Sequence, residues 1–247
     1  MKNIINPEFS HLKTFVENIE SHFQDSDVIL HDARNQIRVV SFEGNNYVVK
    51  AFRVPNFVNR IAYRYFRGSK AKRSYEYSLK IGKQYTPEAV AYCEQHQGGL
   101  LGKSYYISRH FDYDFTIHPA LYDKTMQNRQ QILKEFAEFS YALHQANILH
   151  RDFSPGNILV KKLLQGREQY QFKIVDVNRM QFKALNRKQR LSNFARLMVD
   201  DETMKIIAYP YAKCAQYPEE KTLAEAIQYR EDYIKQRALK NKLRGRA

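Results

Sequence analysis

One short polar stretch constrains this chain more than any other feature. It reads His150-Arg151-Asp152-Phe153-Ser154-Pro155-Gly156-Asn157 and runs into the apolar Ile158-Leu159-Val160. A carboxylate, Asp152, and a carboxamide, Asn157, are separated by a tight turn through a proline and a glycine, and Gly156 is expected to supply an unusual backbone angle beside the carboxamide. The fold must therefore present these two polar side chains together on one loop.

The spacing of the two side chains is the one that phosphoryl transfer requires. Asp152 can take the proton of an attacking hydroxyl while Asn157 holds a magnesium ion on the phosphates of a nucleotide. A second acid, Asp176, follows the apolar pair Ile174-Val175, as the metal-binding aspartate of a kinase follows its strand. The order of these residues predicts an ATP-dependent kinase with ATP and Mg²⁺ as cofactors.

A lysine further upstream is the expected ligand of the nucleotide phosphates. Lys50 lies in the strand-like segment Tyr47-Val48-Val49-Lys50-Ala51-Phe52, and in kinases such a lysine holds the α and β phosphates. Because alternate side chains of a strand share a face, Val48 points the same way and is expected to cover an adenine ring. Leu159, two residues after Asn157, is the candidate for the opposite wall of the adenine slot.

An acid on the first long helix is expected to hold that lysine in place. The candidate is Glu76, in Lys72-Arg73-Ser74-Tyr75-Glu76-Tyr77-Ser78-Leu79. The alternative is a solvated glutamate that pairs locally with Lys72 or Lys80 at helical spacing. The partner of Glu76 in the folded chain distinguishes these two interpretations.

The remaining nucleotide contacts are expected from a turn and from the segment that joins two lobes. The phosphate-covering turn is placed near residues 32–36, a segment without glycine. Backbone amides, with Arg34 or Asn35, would have to bind the phosphates there. His110 and Phe111, after a predicted strand, are the expected neighbours of the adenine edge.

Features of ordinary protein kinases are missing downstream of Asp176. The aspartate is followed by Val177-Asn178 rather than Phe-Gly, and no Ala-Pro-Glu segment closes an activation loop. Only 71 residues follow position 176 in this sequence of 247, which is too few for the peptide-docking helices of a protein kinase. We therefore expect an acceptor that is not a protein.

Ser154 is a further catalytic candidate, because it lies two residues after the expected base. Its hydroxyl can bond an oxygen of the γ-phosphate, or it can cap the tight turn that follows, and the sequence leaves both interpretations open. His150 is expected to be a buried scaffold that fixes the loop, in preference to an acid or a base.

Taken together, these segments resemble one family. The segments are His150–Asn157, Asp176-Val177-Asn178-Arg179-Met180 and Lys70-Ala71-Lys72-Arg73-Ser74-Tyr75-Glu76-Tyr77. They are similar to those of the bacterial lipopolysaccharide core kinases, the Kdo and heptose kinase family. The resemblance implies a protein-kinase-like fold that phosphorylates an inner-core sugar of lipopolysaccharide with ATP and a divalent metal. It implies the same roles for the same residues: catalytic base (Asp152), metal ligands (Asn157 and Asp176) and phosphate binder (Lys50).

Two alternatives to a sugar kinase stay open. RIO-type atypical kinases also carry a serine at the position of Ser154 and lack an activation loop, so a RIO-like protein serine/threonine kinase is the first alternative. The second is a pseudokinase that only binds nucleotide, although the intact Lys50 and Asp152 argue against it.

Charge is the second large indication of function. The chain has 40 Lys and Arg against 26 Asp and Glu, a net charge of +14. Basic residues concentrate at 60–73, 183–190 and 237–246. Such an excess points to an anionic partner: an anionic glycolipid, namely lipopolysaccharide core or Kdo-lipid A, and the inner-membrane surface. Nucleic acid is the rival anion, but the sequence contains no recognisable nucleic-acid module.

The chain has neither an apolar run near 18 residues nor a signal-peptide pattern, which predicts a cytoplasmic protein, peripheral on the inner face of the inner membrane. Three antiparallel strands are predicted from about residue 27 to 52, a helix from Pro55, a hairpin turn at Gly98–Gly102 and a core helix from Asn128 to Ala146. We expect an α+β, protein-kinase-like two-lobed fold. A small antiparallel β N-lobe with a long helix would occupy residues 1–109. A reduced, mainly α-helical C-lobe, with the catalytic and metal-binding loops and a basic C-terminal helix, would occupy residues 110–247.

Overall fold

The computed structural model describes residues 1–32, 35–54, 68–163 and 169–243. Over these residues the strands are β1 (Lys2–Ile5), β2 (Ile29–Asp32), β3 (Asn35–Phe42), β4 (Asn45–Phe52), β5 (Ala89–Gln97), β6 (Leu100–Arg109), β7 (Phe115–Thr116), β8 (Ile148–Leu149), β9 (Ile158–Lys162), β10 (Tyr170–Ile174) and β11 (Gln181–Phe182). The α-helices are α1 (Lys13–Glu17), α2 (Ile19–Gln24), α3 (Lys70–Ile81), α4 (His118–Tyr122), α5 (Arg129–Gln145), α6 (Arg187–Asn193), α7 (Asp201–Ala215) and α8 (Glu219–Leu243). Short 3₁₀ helices lie at Pro7–Leu12, Pro155–Asn157, Val177–Arg179 and Phe194–Leu197. The helix predicted from Pro55 lies outside the described residues.

The chain forms two compact units. The first consists of Met1–Phe111 with Asp176–Asn178, and the second of Asp112–Val175 with Arg179–Ala247. The first unit is built on a six-stranded sheet, whereas most of the helical residues belong to the second. Strands and helices that are segregated in this way define the α+β class.

The sheet of the first unit is antiparallel and has the order β1-β5-β6-β4-β3-β2. The three strands predicted between residues 27 and 52 are confirmed as β2, β3 and β4. β3 and β4 are joined at Glu43 and Gly44, whose φ angles of 47° and 73° suit a two-residue hairpin turn. β4 lies inside the sheet, where Lys50 is opposite Tyr106 of β6.

The predicted glycine turn is confirmed, but it is shorter than expected. Gly98 and Gly99 connect β5 to β6 with φ angles of 59° and 73°, and β6 begins at Leu100. Leu101 is buried in the sheet. The apolar residues after the glycines therefore belong to the strand, because their burial stabilises pairing up to the turn.

The two faces of the sheet are covered by different helices. On one face, Tyr47 of β4 is buried against Phe15 of α1, with ring centroids 5.1 Å apart. On the opposite face, Phe52 packs with Tyr75 of α3 in a second apolar cluster. Since Lys50 and Phe52 are two residues apart on a strand, both project from the face that α3 covers.

The sequence around α3 specifies both its ends and its attachment to the sheet. The Ser69 side chain accepts a hydrogen bond from the Lys72 amide at the N-terminus, and Gly82 ends the helix with a φ of 86°. Ser78 Oγ lies 2.7 Å from Tyr106 Oη, a hydrogen bond that fixes α3 to β6.

The core helix predicted over residues 128–146 is confirmed as α5, the centre of the second unit. Phe136 lies in the middle of its apolar stripe. Its ring centroid is 5.7, 6.0 and 6.5 Å from those of Phe153, Phe172 and Phe194. Phe153 belongs to the polar stretch, so aromatic packing anchors that loop on α5.

Two small sheets frame the polar stretch. β9 pairs with β7 and β10, and β8 pairs with β11. The stretch occupies the connection between β8 and β9, and Pro155–Asn157 form a 3₁₀ turn within it. The unusual backbone angle predicted for Gly156 is wrong, because this turn needs no left-handed residue and Gly156 has no positive φ. Through the described ranges, we find no helix that has both the length and the apolar character needed to cross a bilayer.

Candidate active site

An ion pair in the first unit joins two of the residues predicted from the sequence. Lys50 Nζ lies 2.7 Å from Asp176 Oδ1, and the side chains are 13% and 24% exposed. The residues are 126 positions apart in the chain. A pair that converges from this distance is specified by the fold, not by local helical or strand spacing.

Asp176 has an uncommon backbone conformation. Its φ is 57°, in the left-handed region that aspartate tolerates better than most residues. Its Oδ1 also accepts a hydrogen bond from Asn178 Nδ2 at 2.6 Å. Unusual backbone angles cluster at functional sites, and here the carboxylate is held by two donors in a fixed orientation.

Glu76 lies on the outer side of α3 and forms a local pair. Its carboxylate is 3.6 Å from Lys72 Nζ, and its side chain is 50% exposed. The buried face of α3 contains Tyr75 and Ser78, so the residue after Tyr75 is rotated away from the sheet. The second of the two alternatives for Glu76 therefore holds in this structure. Over the described residues, the carboxylate that pairs with Lys50 is that of Asp176.

Asn35, the predicted phosphate-loop residue, begins β3 opposite Phe52. Its side-chain Oδ1 is buried and has no hydrogen-bond partner within the described part of the chain. An unpaired buried carbonyl oxygen costs about 1–3 kcal/mol. Arg34, the other predicted phosphate contact, lies outside the described residues. Both roles stay predictions.

The predicted adenine contacts lie at sites with the expected apolar or half-buried character. Val48 is half-buried beside Lys50 in β4, and His110 and Phe111 are half-buried directly after β6. The His110 amide donates to the carbonyl of Asn46 at 3.0 Å. In the second unit, Leu159 is buried in β9 between β7 and β10. Adenine binding by these residues stays a prediction.

The predicted catalytic loop of the second unit is held by its own side chains. Asn157 Nδ2 donates to the carbonyl of Asp152 at 2.9 Å and to Ser154 Oγ at 3.1 Å. Ser154 makes no side-chain capping hydrogen bond to the 3₁₀ turn, so its hydroxyl orients the Asn157 amide instead. Because the amide nitrogen is used within the loop, Asn157 Oδ1 is the atom presented to a ligand.

His150 is the scaffold of this loop. It is 1% exposed, and its Nδ1 accepts a hydrogen bond from the Asp152 amide at 3.0 Å. Nε2 then carries the proton and donates to the carbonyl of Val175 at 2.8 Å. Both ring nitrogens are used to position Asp152, in agreement with the scaffold predicted from the sequence.

A buried polar chain behind the loop was missed from the sequence. Asn193 Nδ2 donates to the carbonyl of His150 at 2.9 Å. Asn193 Oδ1 lies 3.1 Å from His144 Nε2, and His144 Nδ1 lies 2.9 Å from Tyr211 Oη. Burial lowers the pKa of His144 to about 4, helped by the nearby charge of Arg190. His144 is therefore neutral at pH 7. Its helical register beside the apolar stripe of α5 was the one available signal.

Two arginines beside Asp152 were also missed as site residues. Arg196 Nη1 is 3.2 Å from Asp152 Oδ1, and Arg179 Nη2 is 3.7 Å from Asp152 Oδ2. Arg196 also donates to Tyr233 Oη of α8 at 3.4 Å, and its guanidinium lies 5.3 Å from the centroid of that ring. Arg179 lies inside a motif segment, but no pattern in the sequence marks Arg196 or Tyr233.

Two side chains offer the oxygen donors that Mg²⁺ prefers: the amide Oδ1 of Asn157 and the carboxylate of Asp176. Within the described ranges, no group of three or more His, Cys, Asp or Glu side chains gathers into a metal-binding cluster. Mg²⁺ carried on nucleotide phosphates needs only one or two protein ligands. Each of these side chains therefore has the donor chemistry that a nucleotide-bound magnesium ion requires, and their joint role as metal ligands stays a prediction.

These features define a class of protein: the Asp152–Asn157 loop and the Lys50–Asp176 pair are the residue set of kinase-type phosphotransferases. The solved structure of WaaP in complex with acyl carrier protein is similar in fold, with a TM-score of 0.59 and 14% sequence identity. The similarity covers 96% of this chain and 99% of that chain. The predicted protein-kinase-like α+β fold is confirmed.

Residues 77–208, more than half of the chain, match the sequence profile of the Lipopolysaccharide kinase (Kdo/WaaP) family. The chain belongs to this family, and the predicted resemblance is confirmed. It is accordingly a lipopolysaccharide kinase, a phosphotransferase with an alcohol group as acceptor. The family match favours this function over the RIO-like alternative.

Two further kinase structures are less similar. A MAP kinase from Leishmania major, LmaMPK10, has 16% identity and a TM-score of 0.48, covering 89% of this chain and 66% of that chain. The Rio2 kinase-ADP/Mg²⁺-phosphoaspartate complex from Chaetomium thermophilum has 14% identity and a TM-score of 0.45, covering 93% and 78%. Neither similarity is high enough to carry an argument. No curated protein sequence matches the chain significantly.

Proposed function

We propose that this lipopolysaccharide kinase transfers the γ-phosphate of ATP to a hydroxyl of an inner-core sugar, Kdo or heptose. The observation that carries the proposal is the Lys50–Asp176 ion pair of 2.7 Å, formed across 126 residues. It joins the two residues to which phosphate and metal binding were assigned from the sequence. Such a pair suits nucleotide binding, because a kinase holds its phosphates with a fixed ammonium and a fixed carboxylate.

Asp152 is the proposed catalytic base. Its carboxylate accepts the proton of the sugar hydroxyl as the hydroxyl oxygen forms a bond to the γ-phosphorus, and the bond from that phosphorus to the bridging oxygen of ADP breaks. The His150 ring fixes the Asp152 backbone. Catalysis then depends mainly on positioning, because the buried ring holds the backbone that carries the carboxylate.

Lys50 would bind the α and β phosphates, and Asp176 and Asn157 would hold Mg²⁺. When bound, Mg²⁺ neutralises charge on the phosphates. Asn157 contributes Oδ1, because its Nδ2 is tied to Asp152 and Ser154. Ser154 thus acts on the metal ligand, and a direct bond from its hydroxyl to a phosphate oxygen is a further proposal.

We also propose that the protein works at an anionic membrane surface. Support comes from the net charge of +14 and from α8, whose last turns expose Lys235, Arg237, Lys240 and Lys242. Each basic residue near an anionic surface adds about 1 kcal/mol of attraction. Sedimentation with vesicles tests this part: binding to phosphatidylglycerol vesicles, but not to phosphatidylcholine vesicles, is expected.

The acceptor is tested by incubating the protein with γ-labelled ATP and either Kdo-lipid A or a generic protein substrate. Label on the sugar is expected, and its loss in Asp152→Asn is expected to leave MgATP binding intact. Asp232→Asn, which removes an exposed carboxylate of α8, is the matched control. Label on the protein substrate alone would contradict the proposal and favour a RIO-like protein kinase.

A further inference from the structure

The charged side chains around the proposed base Asp152 include more cations than anions. Asp152 supplies one carboxylate, and Arg179 and Arg196 supply two guanidiniums, one near each carboxylate oxygen. Over the described residues, Asp152 is the one carboxylate within ion-pair distance of either arginine. The group of three residues therefore has a net charge of +1.

Within the described residues, most N–H donors of these two arginines make no hydrogen bond to the protein. A guanidinium has five N–H donors in a planar fork, and Arg196 uses Nη1 for both Asp152 and Tyr233. Arg179 is 63% exposed and Arg196 37%, whereas Asp152 is 25% exposed. The fork geometry matches carboxylate and phosphate oxygens in a bidentate manner. An anion brought to Asp152 would meet two cationic forks at the surface of the unit.

Arg196 is also held in advance of binding. The ring of Tyr233 lies 5.3 Å from its guanidinium carbon, and the phenol oxygen accepts a hydrogen bond from it. An arginine stacked on an aromatic ring loses less side-chain freedom when it binds a ligand. Through Tyr233, α8 thereby fixes the position of the Arg196 guanidinium beside Asp152.

We propose that Arg179 and Arg196 bind an oxyanion of the acceptor, a carboxylate or a phosphate, next to the hydroxyl that Asp152 deprotonates. The enzyme therefore selects an acceptor that carries this oxyanion over the same acceptor without it. This inference rests on the proposed function and adds to it the chemistry by which the acceptor is recognised.

Steady-state kinetics with three acceptors test the proposal: Kdo-lipid A, the same molecule with the Kdo carboxyl reduced to an alcohol, and the same molecule without its lipid A phosphates. The variants are Arg179→Gln and Arg196→Gln. Lys134→Gln, an exposed charge removal on α5 of the same unit, is the control. Charge-assisted hydrogen bonds of this kind correspond to about 10- to 100-fold in KM. We expect that rise for Kdo-lipid A in each arginine variant, with a smaller change in kcat and none in the control.

The acceptor analogues identify the oxyanion. If it is the carboxylate, wild-type protein has a raised KM for the reduced acceptor, and the arginine variants raise it no further. If it is a phosphate, the dephosphorylated acceptor shows this behaviour instead. Tyr233→Phe keeps the ring but loses the hydroxyl, so its KM should rise less than that of Arg196→Gln.

Equal losses for all three acceptors, seen in kcat and not in KM, would overturn the inference, because the arginines would then only orient Asp152. Thermal unfolding with and without MgATP shows that each variant folds and binds nucleotide. A wild-type protein that labels no sugar refutes the proposed function itself, and the inference falls with it. A wild-type protein that labels all three acceptors with equal KM refutes the inference alone.

Discussion

The two units of this protein carry polar clusters of different design. In the first unit, Lys50 and Asp176 form a short, mostly covered ion pair. In the second, the Asp152 carboxylate pairs with two arginines, Arg179 and Arg196, whose side chains are more exposed than that of Asp152. Under the proposed function, the first cluster binds the nucleotide phosphates, a ligand common to all kinases. The second cluster has a net positive charge, and its proposed ligand is the acceptor, which differs between kinases.

The largest effect is expected at Asp152. A general base contributes about 10²- to 10⁴-fold to the rate, so Asp152→Asn should lower transfer by that factor. MgATP binding, measured by thermal stabilisation, should be unchanged because Lys50 and Asp176 are intact. Full turnover in this variant would show that Asp152 is not the catalytic base.

A smaller loss is expected when the ion pair of the first unit is broken. Lys50→Met leaves the carboxylate of Asp176 without its ammonium partner and removes the proposed phosphate ligand. We expect transfer to fall about 10²- to 10³-fold, the size of losing one preorganised electrostatic contact. Fluorescence titration with a nucleotide analogue should show weaker binding. The control Lys134→Gln, which removes an exposed positive charge, should behave as wild type.

Stability should depend on pH through His144. Burial holds the folded-state pKa of this side chain near 4, below its unfolded value of about 6.5. The unfolded chain therefore binds more protons between these pH values, and the free energy of unfolding falls as the pH is lowered from 6.5 to 4. Between pH 7 and pH 5 the loss amounts to about 2 kcal/mol, measurable by urea unfolding at pH 7, 6 and 5.

The variant His144→Gln should be less stable at pH 7 but should show a flatter pH profile. His118→Gln, which removes an exposed histidine, should keep the wild-type slope. If His144→Gln retained that slope as well, the titration would have to be assigned to other groups, and the polar chain behind the loop would lose its proposed role.

The smallest effect is expected at Glu76. Its pair with Lys72 is half-exposed and lies at helical spacing, a kind of pair that contributes about 0.3–0.5 kcal/mol. Glu76→Gln should shift the urea midpoint slightly and leave transfer within twofold of wild type. A tenfold loss of transfer would instead show that Glu76 pairs with Lys50 in the working enzyme, as the sequence alone suggested.

The sequence predicted the parts of the site that are local or have fixed order. The loop around Asp152 and Asn157 was recognisable because its residues are contiguous, and α5 because its apolar stripe is periodic. Glu76 shows the limit of such reasoning: its helix was expected, but the side that faces the sheet is decided by Tyr75 and Ser78. Rotation by one residue changes the partner of a carboxylate.

Contacts between segments that are distant in the chain could not be predicted from the sequence pattern. Arg196 reaches Asp152 across 44 residues and is stacked on a tyrosine 37 residues further on. Asn193 reaches His150 across 43 residues. Arg196, Asn193 and Tyr233 belong to no sequence motif. Their contacts follow from how α6, α8 and the 3₁₀ turn at Phe194–Leu197 pack. Acceptor recognition depends on such residues, which is why it was the least predictable part.

The division of labour between the clusters is tested most directly by equilibrium titration of two variants with both ligands. With Asp152→Asn as background to prevent turnover, Lys50→Met and Arg196→Gln are each titrated with MgATP and with Kdo-lipid A. The account predicts that Lys50→Met loses affinity for MgATP and keeps that for the acceptor, and that Arg196→Gln does the reverse. Equal weakening of both ligands by either variant would contradict it.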